Sequence, residues 1–208
     1  FKGQEFRVQA VKVDAVIDTT GCGDSYHAGF VCSYMLENDI DLTGSSFTSI
    51  PTFAGTFDGK NHKISGLTLT AGLDDQGLFG CSSGTIGNLG IVRGNISVGS
   101  AERIGAICGY STGTIENCWN SADITGSTEG GKYVGGICGY STGTIYGCLN
   151  MGDITANSFI GGICGNTAQS TQISNCFNSG SITGKEQIGG IAGINLNYIT
   201  FCINAGEL

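Results

Sequence analysis

Few side chains in this sequence could do chemistry, and its cysteines stand out among them. The chain has ten Cys, two His and seventeen carboxylates among 208 residues. Cys could cross-link, bind metal or act as a nucleophile, and paired carboxylates could move protons. Spacing narrows these options. Cys108, Cys138 and Cys164 share one position of an internal repeat, and Cys118, Cys148, Cys176 and Cys202 share another. Their counterparts in other copies are Phe79, Ala192 and Leu89. Free Cys behaves as a small buried hydrophobe, and that is the reading these apolar counterparts favour. Stacked strands put equivalent Cα atoms about 4.8 Å apart, within reach of a disulfide, so oxidised pairs inside one ladder stay open. A zinc site is not expected, because no Cys-x-x-Cys pair occurs and only His27 and His62 could assist. Of the carboxylates, Asp123 and Asp153 recur in register, but the next copy has Ser181 there.

The element that positions these residues is a repeat. Ile104-Gly-Ala-Ile-Cys-Gly109 returns as Val134-Gly-Gly-Ile-Cys-Gly139, Ile160-Gly-Gly-Ile-Cys-Gly165 and Ile188-Gly-Gly-Ile-Ala-Gly193. Gln76-Gly-Leu-Phe-Gly80 is a divergent first copy. The copies begin near residues 75, 104, 134, 160 and 188, a period of about 26–30 residues that signals a stacked array. Short apolar runs separated by Gly, Asn and Ser, with no helical period after Leu36, make the coil a set of strands, read as three per copy. The expected fold is all-β: a right-handed parallel β-solenoid of about five coils. Ile104, Ile107, Cys108, Ile115, Cys118 and Ile124 should face inward in the second copy.

Within the coil, Ile145 and Cys148 are three apart and would point to opposite faces of a straight strand. A left-handed bend at the residue before the Cys, which is Asn117, Gly147 or Asn175, lets both face inward. Phe201 stands there in the last copy and should make that coil deviate. Asn120, Asn150, Asn178 and Asn204 are expected to form a hydrogen-bonded turn ladder. The Thr112-Gly-Thr114 and Thr142-Gly-Thr144 pairs are read as turn chemistry. Trp119 aligns with Leu149, Phe177 and Ile203 and is read as core, and Tyr110, Tyr133, Tyr140 and Tyr146 are the aromatics to check for glycan contact.

Composition excludes several classes. Gly is 37 of 208 but lacks the every-third-residue period of collagen. Apolar residues at 40% against 12% charged argue against disorder. Net charge is −8 with no Lys/Arg stripe, so nucleic acid is not an expected partner. No apolar run reaches the roughly 20 residues of a membrane-spanning helix. No signal peptide is read in a chain that starts at Phe1, which leaves export open.

Residues 37–208 resemble the GLUG-repeat domains of bacterial surface proteins. Gly77-Leu78-Phe79-Gly80 matches the namesake motif, and Asn38-Asp-Ile-Asp-Leu-Thr-Gly44 with Phe53-Ala-Gly-Thr-Phe-Asp-Gly-Lys-Asn-His62 is similar to their lead-in. The resemblance implies a cell-surface or secreted β-solenoid of the kind found in adhesins and in non-catalytic parts of surface peptidases. It brings no agreed catalytic residues. It also implies host or cell-surface proteins or glycans as partners, and no cofactor.

Residues 1–36 read differently. Phe6 to Ile17 is strand-like, Asp18-Thr-Thr-Gly-Cys-Gly-Asp24 follows, and Ser25 to Leu36 has a helical apolar pattern in Tyr26, Phe30 and Tyr34. This stretch resembles the C-terminal signature of ribokinase-like (PfkB) sugar kinases. The resemblance would make Gly21, Cys22 and Gly23 an anion hole and Asp24 the base that deprotonates a sugar hydroxyl. Positioning carries most of phosphoryl-transfer catalysis, and the sugar pocket, lid and nucleotide site have no counterpart here. No enzyme activity is therefore expected, and Asp24 is read as vestigial. Residues 1–36 are read as an N-terminal cap over the solenoid core, recruited by fusion, with a gene-assembly artefact as the alternative. The last copy stops at Leu208 without a capping element, so end-to-end self-association through that coil is expected. Three functions remain: an adhesion or spacer module, a kinase fragment using Asp24, and a solenoid that binds glycan.

Overall fold

The computed structural model describes residues 33–70, 74–99, 101–126 and 132–208. They contain strands and no helix, arranged as four parallel sheets whose members come from successive copies of the repeat. One sheet takes one strand from each of six coils, so the stack is a β-solenoid of six coils rather than five. The additional coil is the lead-in itself, built from Ile50–Phe53, Thr56–Ser65 and Thr68–Leu69.

The fourth coil shows how the sequence folds. Lys132–Gly135 and Cys138–Ser141 lie in different sheets. The apolar run from Val134 to Gly139, read as one strand, therefore turns a corner at Gly136 and Ile137. Thr144–Tyr146 and Leu149–Asn150 follow in one sheet, and Ile154–Thr155 closes the coil. The coil thus has four faces instead of three. A corner puts Val134, Ile137 and Cys138 all inward, each fully buried, which a straight strand could not do.

Stacking is in register from coil to coil. Cys108 pairs with Phe79 and Cys138, Cys138 with Cys164, and Cys164 with Ala192. Ile86, Ile115, Ile145, Ile173 and Ile199 form one file, and Ile96, Ile124, Ile154 and Ile182 another. All six residues expected inward in the second copy are at most 1% exposed. Fixing one backbone costs roughly 1–2 kcal/mol, and a buried aliphatic side chain returns about 1.5–3 kcal/mol. A lone coil of 26–30 residues with six inward side chains falls short, and burial between coils supplies the difference.

The bends occur where expected. Asn117, Gly147 and Asn175 have φ of 50°, 62° and 54°. Phe201, expected to deviate, adopts 54° as well and keeps its coil in line. Its neighbours are pinned to coil five, since Asn175 N donates to Thr200 O (3.1 Å) and Ile203 N donates to Cys176 O (3.0 Å). Phe201 is 86% exposed, so the strained backbone carries no clash of the ring with the core.

The two ends differ. At the N-terminal end the core is aromatic: Phe53 lies 5.0 Å from Phe79, and Phe57 lies 5.3 Å from Phe79 between ring centroids. Ser33–Met35 pairs with Thr56–Asp58 as a parallel strand, Tyr34 packs 5.9 Å from Phe53, and Leu36 is buried. The last residues of the expected helix are therefore strand, because Leu36 N bonds Asp58 O and extends the sheet edge. The rest of the proposed cap, residues 1–32, lies outside the described residues. At the other end, coil six leaves Leu196, Tyr198, Ile203 and Leu208 exposed.

Candidate binding strip on the outer face

Gly21, Cys22, Gly23 and Asp24 lie outside the described residues, as do His27 and Cys32. The described cysteines are free thiols, and six of the eight are buried. Seven of the eight donate to a carbonyl two residues away, as Cys108 Sγ does to Tyr110 O (3.1 Å) and Cys164 Sγ to Asn166 O (3.1 Å). Burial pushes Cys138, Cys148 and Cys164 well above the ordinary thiol range. Hydrogen bonding to Cys148, with burial, raises Cys176 too. Thiolate is the reactive form, so these ladders are packing and not chemistry. No group of three His, Cys, Asp or Glu among the described residues is placed to hold a metal ion.

The asparagine file is a continuous amide ladder, buried at Asn120, Asn150 and Asn178 and exposed at Asn204. Asn120 Nδ2 donates to Asn150 Oδ1 (2.9 Å), Asn150 Nδ2 to Asn178 Oδ1 (2.8 Å) and Asn178 Nδ2 to Asn204 Oδ1 (2.7 Å). Each amide also donates to the carbonyl two residues on, holding the turn. Asp123 and Asp153 are likewise structural, accepting from Asp153 N and Ser181 N of the next coil. The threonine file runs through four coils (Thr56, Thr85, Thr114 and Thr144), longer than the two read from sequence. Trp119 is not core. It stands between inward Cys118 and Asn120 and so points outward, half-buried, in register with Gly90 and Leu149.

The outer surface carries one site that the sequence did not assemble. Two files of side chains run side by side across consecutive coils. One is the residue just before the first inward position (Gln76, Ile104, Val134, Ile160 and Ile188): Asp75, Arg103, Tyr133, Phe159 and Gln187. The other is the outward residue two after the first ladder position: Cys81, Tyr110, Tyr140, Asn166 and Ile194. In the first file Asp75, Tyr133, Phe159 and Gln187 have φ of 59°, 54°, 57° and 53°, a left-handed backbone that the register of the stack carries through without a break.

In coils three to five the two files merge into a patch. Tyr110 and Tyr140 lie 5.5 Å apart, Tyr133 lies 6.0 Å from Tyr140 edge-on, and Tyr133 lies 5.0 Å from Phe159. Arg103 sits 5.2 Å over the Tyr110 ring. Its charge is taken up by Asp75, with Nε 2.5 Å from Oδ1 and Nη2 donating to Oδ2 at 2.9 Å. All four rings are half-buried. Beside them, Asn166 Oδ1 is out of solvent and has no hydrogen-bond partner in the protein. The three tyrosines were visible in the sequence, and in the structure Phe159 joins them, with Tyr133 and Phe159 on left-handed backbone. Positional equivalence across the repeat was the available signal, because Tyr133 and Phe159 directly precede the equivalent residues Val134 and Ile160.

No family model matches the chain. Over 118 residues, 48% of the chain, it is 32% identical to halomucin of Haloquadratum walsbyi, and that match covers 1% of halomucin. The chain therefore spans about a hundredth of that relative's length. Among solved structures, it resembles a Bacteroides ovatus protein provisionally described as an immunoglobulin A1 protease. The TM-score is 0.61 at 23% identity, over 85% of this chain and 69% of that one. This second likeness is one of fold: a solenoid of the same kind.

Proposed function

We propose that this chain is a non-catalytic repeat segment of a cell-surface or secreted protein, serving as a spacer and adhesion module. The observation that carries the reading is the unbroken in-register stack, in which inward Ile, Cys and Asn files repeat while outward side chains change from coil to coil. Such a stack is a stiff rod whose surface can vary without cost to its core. The similarity to halomucin supports a repetitive surface polymer. Coil six leaves Ile188, Ile191, Ala192, Ile199 and Cys202, which continue the inward files, only half-buried, and a further coil or copy could add there. An antibody raised against this segment tests the localisation. Labelling of intact source cells, lost after protease shaving, is the expected result; labelling only after permeabilisation would overturn it.

A further inference from the structure

We infer that the outer strip of Arg103, Tyr110, Tyr133, Tyr140, Phe159 and Asn166 is a binding site for an uncharged glycan lying along the solenoid axis. The assignment deepens the adhesion reading and rests on it.

Backbone conformation is the first argument. Tyr133 and Phe159 occupy left-handed positions that Gly or Asn would fill with less strain, and bulky residues there cost of order 1 kcal/mol each. The same position takes Asp75 and Gln187 in other coils, so the fold does not demand aromatics. Their placement brings four rings into contact on the outer surface, two from each file.

Chemistry selects the ligand class. The strip offers ring faces beside phenol hydroxyls and a guanidinium. A pyranose matches that mixture, with C–H faces to stack and hydroxyls to donate. Charge selects further. Arg103 is neutralised by Asp75 within the strip, and the whole chain carries −8. Among the strip residues an anionic polymer finds no unpaired cation and a cationic one no unpaired carboxylate, and the net negative charge disfavours the anionic polymer further. At about 4.8 Å per coil the three coils span roughly 10 Å between their outer rows, enough for about two sugar rings.

The test uses the purified 208-residue chain on an array of neutral cello-, manno- and N-acetylglucosamine oligosaccharides beside sialylated and sulfated ones. Calorimetric titration of the best binder follows. Saturable binding of a neutral class is expected, about tenfold weaker in Tyr140→Ala, the effect of losing one stacked ring. Tyr133→Asn and Phe159→Asn remove a ring while suiting the left-handed backbone, so they should lose binding and keep the melting temperature. Tyr146→Ala, an exposed tyrosine in another sheet, should bind as the parent does. Absence of neutral-glycan binding, binding of charged glycans alone, or parental affinity in Tyr133→Asn would each overturn the assignment. None of these results bears on the surface-labelling experiment, so the two readings fail separately.

Discussion

Asn150→Ala should cost this protein far more than a surface-turn asparagine would. Asn150 is fully buried, and its amide makes three hydrogen bonds. Truncation strips Asn178 Oδ1 of its donor, leaves Gly152 O unpaired, and orphans one N–H of Asn120, whose other N–H still reaches Ala122 O at 2.9 Å. Each buried polar group left unsatisfied costs about 1–3 kcal/mol. Carbonyls with a second lone pair and water entry into the vacated space reduce that, so about 4 kcal/mol is expected. For a domain of this size that corresponds to a fall in melting temperature of roughly 8–16 °C.

Thermal and urea unfolding followed by circular dichroism measure the loss, and a double-mutant cycle with Asn120→Ala separates ladder from cavity. Either single change already removes the Asn120–Asn150 bond. The double variant should therefore be less destabilised than the sum of singles by about 1–2 kcal/mol. A single-variant loss under about 1 kcal/mol, or strict additivity, would show that the amides fill space without acting as a hydrogen-bonded unit.

Three other expectations follow from the same geometry. Gly105→Ala places a methyl carbon 2.5 Å from Cys108 O and 2.6 Å from both Cys138 Cα and Ile137 O, all main chain; a loss of about 3 kcal/mol or more is expected. Gly99→Ala, with nothing within 4 Å, should melt like the parent. Cys138, Cys148 and Cys164 keep their protons in the fold at pH values where the unfolded chain loses them, so stability is full below about pH 8 and falls above the unfolded thiol pKa. With three such thiols the slope is about 4 kcal/mol per pH unit above pH 9, and a flat melting profile from pH 8 to about 10.5 would contradict it. Phe201→Asn relieves a left-handed aromatic that is almost wholly exposed and should raise stability by about 0.5–1 kcal/mol, read as a small upward shift in the melt.

Much of the stack was legible because inward positions repeat in chemical type. Ile, Cys and Asn recur at fixed spacing, and the apolar counterparts Phe79, Leu89 and Ala192 marked the cysteines as packing. The four-faced coil was hidden because its corner falls inside an apolar run, where Gly136 and Ile137 look like ordinary strand. Phe201 was misjudged for a different reason. Residue preference is local, whereas hydrogen bonds to coil five on both sides fix the backbone there and override it. Trp119 was misplaced because alignment with Leu149 and Phe177 shows that residues share a file, not which face that file occupies.

The strip escaped sequence reading for the reason that makes it a candidate site. A repeat is recognised by what stays constant between copies, and this file reads Asp75, Arg103, Tyr133, Phe159, Gln187, with no shared chemistry. In a solenoid the inward constants carry stability, since each coil must match the one below it. The outward variables are free of that demand. When such a position nevertheless holds aromatics on strained backbone in two successive coils, next to tyrosines in register, packing of the core does not account for the choice. Recognition outside the rod does, which is why Tyr133→Asn, neutral for the fold and damaging for binding, separates the two roles most sharply.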